Sequence, residues 1–217
     1  MARTRTPAPP SATLVLLVRH GKTPTTGTTL PGRAKGLHLS DEGRAQADAA
    51  AARIAPLKKV AAVYASPLER TRETAAPIGK ATGHRVQIDK GLLECDFGEW
   101  TGQELKKLNK LPDWSTVQRY PSGFRFPGGE SFTEMQTRMA GTLTKLAERH
   151  QGETIVAVSH ADPIKAAVAH ALGTHLDLFQ RIVISPCSVS AIWYSAGGPA
   201  VLATNSTGDD LTTLGLS

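Results

Sequence analysis

Leu14-Val15-Leu16-Leu17-Val18-Arg19-His20-Gly21 and, far downstream, Ile155-Val156-Ala157-Val158-Ser159-His160 decide how this chain is read. Each is a short apolar run, rich in β-branched residues, that stops abruptly at polar ones. Such runs predict strands buried within a helix-covered sheet. Each run also delivers a histidine where its strand should end. In open α/β sheets, ligands collect beyond the carboxyl ends of the strands. Two histidines placed that way, one preceded by an arginine, predict the floor of an anion site.

The intervening segments fit the same architecture. Residues 13–18, Val60–Ala65, Arg85–Ile88 and Thr154–Val158 read as four strands, with later strands at 181–184, 188–194 and 200–204 and a Gly197-Gly198 turn between the last two. Ser40 opens a helix to about residue 55, where Asp41 and Glu42 suit the N-terminal dipole and the many alanines suit the interior. Ser66-Pro67-Leu68-Glu69 reads as a second helix start: Ser66 the cap, Pro67 the first helical position, Glu69 the closure of a capping box. That helix runs to about residue 81, before Gly83. Glu130 or Ser131 opens a long helix ending near His150, and residues 161–172 make another. Residues 21–39 and 91–129 read as irregular, with a short helix at 101–109. Strands alternating with helices predict an α/β fold, a three-layer α/β/α sandwich with a mostly parallel central sheet. Residues 12–217 are expected to form one domain, with 91–129 as a substrate-selecting insertion. Residues 1–11, basic and Pro-rich, are expected to be a disordered tail.

Composition narrows the function. The chain has 217 residues, 40% hydrophobic and 20% charged, enough for one sizeable core. A net charge of +6 without a Lys/Arg run, and with only 5% aromatic residues, argues against nucleic acid and points to a small anion. No stretch is long and apolar enough to span a bilayer. The basic start is followed by too few apolar residues for a signal-peptide core. Cys95 and Cys187 match no metal or redox spacing and read as reduced thiols in a cytoplasmic protein.

The strand ends carry the chemistry. Helical side chains lean toward the N-terminus, so Arg70 should point back over the sheet edge. His160 immediately precedes a helix whose free N–H groups favour an anion. Arg19, His20, Arg70 and His160 then converge on one crevice, and that much positive charge is tolerable only around a dianion such as phosphate. A neutral imidazole there can attack phosphorus and form a phosphohistidine. Departure of the alcohol then needs a carboxylic acid held protonated. Glu94, within Leu92-Leu93-Glu94-Cys95-Asp96-Phe97-Gly98-Glu99-Trp100, has the apolar surroundings that would raise its pKa, with Asp96 and Glu99 as rivals. These considerations leave open which histidine is attacked.

Arg19-His20-Gly21-Lys22-Thr23 resembles the signature of the histidine phosphatase superfamily, the phosphoglycerate mutase-like proteins. Ser66-Pro67-Leu68-Glu69-Arg70-Thr71-Arg72-Glu73-Thr74, the stretch from Leu93-Glu94 to Trp100-Thr101-Gly102, Pro127-Gly128-Gly129-Glu130-Ser131 and Val158-Ser159-His160 resemble further segments, in family order. The resemblance implies that His20 is the phosphorylated nucleophile and that Arg19, Arg70 and His160 complete the phosphate pocket. It makes Glu94 the general acid, and afterwards the base that activates water. Thr23, Arg33 and Ala161 would be further substrate contacts, with no metal or other cofactor. Pro24-Thr25-Thr26-Gly27 stands where glycolytic mutases carry Asn and Trp, residues 103–127 are shorter than the mutase insertion, and the segment through Ala161-Asp162-Pro163 is closer to the phosphatase branch. The chain as a whole is similar to actinobacterial members labelled phosphomutases. The implied function is a metal-independent phosphomonoesterase acting on a small phosphorylated metabolite. A phosphoglycerate mutase-type phosphomutase and a non-catalytic phospho-ligand binder are the alternatives. Lys22, Arg125 and Lys165 are candidates to meet a distal anion of the substrate. No nucleic-acid or membrane partner is expected, and an exposed edge strand could pair two copies into a homodimer.

Overall fold

The first strand, β1 (Thr13–Arg19), has no solvent-facing side: Leu14 to Val18 are each at most 1% exposed. Burying a side chain of that size stabilises the fold by about 1.5–3 kcal/mol, so this run fixes the middle of the molecule. The computed structural model describes residues 12–57, 60–208 and 210–214; the tail expected at residues 1–11 lies outside the described residues. Around β1 stand β2 (Val60–Ala65), β3 (Val86–Ile88), β4 (Thr154–Ser159), β5 (Val189–Ser195) and β6 (Gly198–Ser206), in the order β3-β2-β4-β1-β5-β6. The first four strands in that order run parallel, whereas β5 is antiparallel to β1 and β6 to β5. The sheet is therefore mixed, parallel where the ligand-binding edge was expected.

Alternation along the strands builds the two outer layers. Leu14, Leu16, Val18, Val63, Val156 and Val158 pack with Ala51, Ile54, Ala75 and Ile78 of α1 (Asp41–Ile54) and α2 (Glu69–Thr82). Val15, Leu17, Ile155 and Ala157 face Met139, Leu143, Ile164 and Val168 of α5 (Phe132–Arg149) and α6 (Ala161–Ala171). Helix ends follow local chemistry. The Ser40 hydroxyl accepts from Gly43 N at 3.1 Å, and Ser131 with Glu134 closes a capping box on α5. Gly83 ends α2 at φ +75°.

Three expectations are corrected. Helix α2 starts at Glu69 with Leu68 as an N-cap that makes no side-chain bond. Ser66 N instead bonds Val158 O at 3.0 Å, prolonging the strand ladder, so Ser66 still belongs to the strand end. Residues 181–184 form no strand: a 3-10 segment, Leu176–Arg181, leads into irregular backbone, and the Ile184 carbonyl is taken by the Arg19 guanidinium at 2.6 Å. Within 91–129, the helices are α3 (Leu105–Leu108) and α4 (Pro112–Arg119), the second unforeseen. This segment is well packed. Phe97, Trp100, Phe124, Phe126 and Phe132 form a cluster of edge-on and tilted rings with centroids 4.9–5.5 Å apart, seated on α5 and the end of α6.

Candidate active site

His20 is the first residue beyond β1, and its N–H bonds Ser159 O on neighbouring β4 at 3.0 Å. Gly21 then passes so close to α1 that a Cβ would lie 2.5 Å from the Gly43 carbonyl oxygen. Gly21 N donates to Thr74 Oγ1 of α2 at 3.0 Å. These contacts set the direction of the imidazole. His20 Nδ1 lies 2.8 Å from the Gly21 carbonyl oxygen. A carbonyl only accepts, so Nδ1 carries the proton and Nε2 is left with a bare lone pair. Burial, then the guanidinium groups of Arg70 and Arg19, push His20 down to about 3, so the ring is neutral at physiological pH.

His160 follows β4, and its ring stands edge-on to that of His20 with centroids 5.3 Å apart. Its Nε2 lies 2.9 Å from Ser66 Oγ. Burial, then Arg70, hold His160 well below the ordinary histidine range. A serine hydroxyl can donate or accept; where it donates to Nε2, the neutral ring carries its proton on Nδ1. Arg70, fully buried on α2, spends one nitrogen on the Gly32 carbonyl at 2.7 Å. Arg19 spends one on Ile184. Four of the six buried side-chain polar atoms left without a partner among the described residues belong to this group: Arg19 Nε, Arg70 Nε, Arg70 Nη1 and His160 Nδ1. Buried donors are nearly always satisfied, and leaving one unmade costs about 1–3 kcal/mol. Four together are intelligible as a cradle for the oxygens of a tetrahedral oxyanion.

Glu94 completes the group. Burial, then the charge of Asp162, raise its carboxyl to about 7 against the pull of Arg70 and Arg19. Its Oε1 accepts from Cys95 N at 2.9 Å. Of its two rivals, Asp96 caps the turn at Gly98 and Glu99 is exposed. Arg19, Glu94 and Ala161, the first residue of α6, line a cleft of about 340 Å³. Arg19, His20, Arg70, Glu94 and His160 thus share one place.

The other expected contacts sit differently. Thr23 is buried, its hydroxyl bonded within its own loop to Thr26 Oγ1 at 3.0 Å. Arg33 presents no free nitrogen to the cleft: Nε holds the Glu94 carbonyl oxygen at 2.9 Å, Nη1 meets Asp96 at 3.4 Å and Nη2 meets Glu130 at 2.9 Å. Glu130 also binds Arg138 Nε at 2.9 Å, and Arg138 Nη1 grips the Leu93 carbonyl oxygen at 2.9 Å. Two arginines bridged by one carboxylate therefore clamp the backbone that carries Glu94. Sequence reasoning missed Ser66, Glu130, Arg138 and Asp162. Ser66 follows a strand directly, the same signal that marked His20 and His160; the clamp has no local signature. Among the described residues, no three His, Cys, Asp or Glu side chains gather so as to hold a metal, and no helix is long and apolar enough to cross a membrane.

The family model of the histidine phosphatase superfamily, branch 1, matches residues 15–207. Phosphoserine phosphatase 1 of Hydrogenobacter thermophilus is 31% identical over 198 residues, covering 89% of this chain and 92% of the relative. A bifunctional protein of Mycobacterium tuberculosis is 31% identical over 204 residues, covering 90% of this chain but 54% of the relative; the chain spans about half the length of such mycobacterial relatives. A probable phosphoglycerate mutase of Salmonella choleraesuis is 30% identical over 183 residues, covering 83% of this chain and 84% of the relative. Among solved structures, Bacillus stearothermophilus YhfR superposes with a TM-score of 0.83 at 25% identity, covering 90% of this chain and 98% of that one. A phosphoserine phosphatase from Entamoeba histolytica gives a TM-score of 0.81 at 26% identity, with the same coverage of 90% and 98%. Matched along nearly its whole described length, the chain belongs to the histidine phosphatase superfamily.

Proposed function

We propose that the chain hydrolyses a small phosphate monoester, without a metal, through a phosphohistidine on His20. The observation that carries this reading is the unpartnered cradle around a bare imidazole nitrogen, with a buried carboxyl lifted to about 7 close to the same arginines. His20 Nε2 attacks phosphorus, the N–P bond forms, and the bond to the leaving oxygen breaks as Glu94 hands that oxygen its proton. Arg19, Arg70 and His160 Nδ1–H hold the equatorial oxygens as charge spreads over them. Glu94, now a carboxylate, takes a proton from water. The water attacks phosphorus, the N–P bond breaks, and inorganic phosphate forms. Arg33 acts as a positioning residue for Glu94, Thr23 shapes the loop after the nucleophile, and Ala161 lines the path of the alcohol. We read residues 12–217 as one domain with 91–129 building the leaving-group side. The two buried free thiols suit a reducing, cytoplasmic setting.

The test is rapid-quench labelling of the full chain with a phosphorus-labelled aryl phosphate. An acid-labile, base-stable adduct on His20 is expected. His20→Ala should lose turnover by at least about 10⁴-fold, since no other group here supplies the nucleophile. Unchanged turnover in that variant, with no adduct in the wild type, would overturn the reading.

A further inference from the structure

Arg19 and Arg70 match the two charges of a phosphoryl group; the alcohol it is attached to must be received by the rest of the cleft. That part is lined by Leu30, Phe97, Leu105, Ile182 and Val183. One polar group, a lysine with its two partners, lines it too. Lys165 Nζ binds Asp162 Oδ1 at 3.2 Å and Gln180 Oε1 at 3.0 Å, and stands 5.8 Å from the centre of the Phe179 ring. Both charged side chains of this group are less than one-fifth exposed. The sequence offered three cations for a distal anion. Lys22 is paired with Glu42 at 2.8 Å and Arg125 with Glu134, neither of them lining the cleft. Lys165 does line it, with its charge already committed. Lys165 and Asp162 neutralise each other, so among the described residues lining the cleft beyond Arg19 no unpaired cation remains for a second anion.

We infer that the leaving alcohol carries no second anionic group: the chain selects phosphate esters of uncharged, partly apolar alcohols, because the cleft offers a second anion only apolar walls and a lysine already neutralised by Asp162. This deepens the phosphomonoesterase reading and rests on it. A carboxylate on the alcohol would lose its hydration against apolar walls and gain no unpaired cation in return. A bisphosphate would bring two further charges with nothing to neutralise them, so phosphoryl transfer between hydroxyls of an acidic metabolite is disfavoured relative to hydrolysis.

Two matched pairs test the inference with the full chain: phenyl phosphate against 4-carboxyphenyl phosphate, and glycerol 3-phosphate against 3-phosphoglycerate. Within each pair the wild type should favour the ester without the carboxylate by about tenfold or more in kcat/KM, expressed mainly in KM. Asp162→Asn, which releases the Lys165 charge to meet the carboxylate, should shrink the preference to near unity or reverse it. Lys165→Gln, which frees Asp162, should widen it. Equal or better turnover of the carboxylates by the wild type would overturn the inference while leaving the phosphohydrolase intact, as would a preference that neither variant moves. No turnover of any of the four esters, with no adduct on His20, would refute the underlying reading as well.

Discussion

Replacing Glu94 with Gln separates its chemical role from its cost to the fold. The carboxyl is buried, 6% exposed, and lifted from its usual 4.5 to about 7. The folded protein therefore keeps a proton that the unfolded chain gives up between those two values. The contribution of Glu94 to stability is fully present below pH 4.5 and is lost as pH rises to 7; above 7 the folded state carries a buried carboxylate. At 1.36 kcal/mol per pH unit, the loss is roughly 3 kcal/mol. Gln keeps the shape and cannot ionise. The stability of Glu94→Gln relative to wild type should therefore climb by roughly 3 kcal/mol between pH 4.5 and pH 8, whatever its offset at low pH. Urea denaturation at half-unit pH steps reads this difference directly. Catalysis should move the other way: alkyl esters, which need a protonated leaving oxygen, should slow by about 10²–10⁴-fold, and aryl phosphates with acidic phenols by far less. The fall in wild-type kcat/KM for alkyl esters above pH 7 should be absent in the variant. A stability difference flat in pH, or equal losses on both ester classes, would refute the assignment of Glu94 as a buried acid.

Arg70→Met should lower kcat/KM by about 10³-fold and abolish the thermal stabilisation given by inorganic phosphate. The phosphate-free variant should melt no lower than wild type, because a buried guanidinium with a single partner is removed; a large drop in Tm would count against the cradle. Ser66→Ala releases the proton of His160 to either nitrogen and should cost about 2 kcal/mol, some 30-fold in kcat/KM, with the circular dichroism unchanged. Unaltered kinetics would sink the tautomer assigned to His160. Glu130→Gln dissolves the carboxylate bridge between Arg33 and Arg138. It should destabilise by about 2 kcal/mol in urea, less than a fully buried pair because these groups are 14–31% exposed, and should reduce kcat on alkyl esters more than on aryl ones.

What the sequence disclosed was what local pattern controls. Leu14–Val18 and Ile155–Val158 are uninterrupted apolar runs, so both strands, and the histidines at their ends, were readable from neighbours alone. The helix start at Glu130 or Ser131, and Ser40 with its acidic first turn, were readable for the same reason. Ser66 was misread because serine before proline is a good helix cap in isolation; a hydrogen bond to Val158, 92 residues away, keeps it in the strand and turns its hydroxyl to His160. Residues 181–184 have strand composition, but their apolar side chains line the cleft and the Ile184 carbonyl serves Arg19, so no ladder forms. Helix α4 hides behind Pro112, which starts it and which reads equally well as a turn residue. The Arg33–Glu130–Arg138 clamp spans nearly half the chain, and nothing short-range announces it.

The depth of His20 has a kinetic consequence. His20 is 5% exposed, with Arg70 and His160 fully enclosed beside it. Once the phosphoryl group sits on the ring, the departing alcohol occupies the space through which the hydrolytic water must come. If His20 carries the phosphoryl group as proposed, product release is ordered, alcohol first and phosphate last. Inorganic phosphate competes with the ester for free enzyme, while the alcohol inhibits by recapturing the phosphoryl group and reversing the first half-reaction.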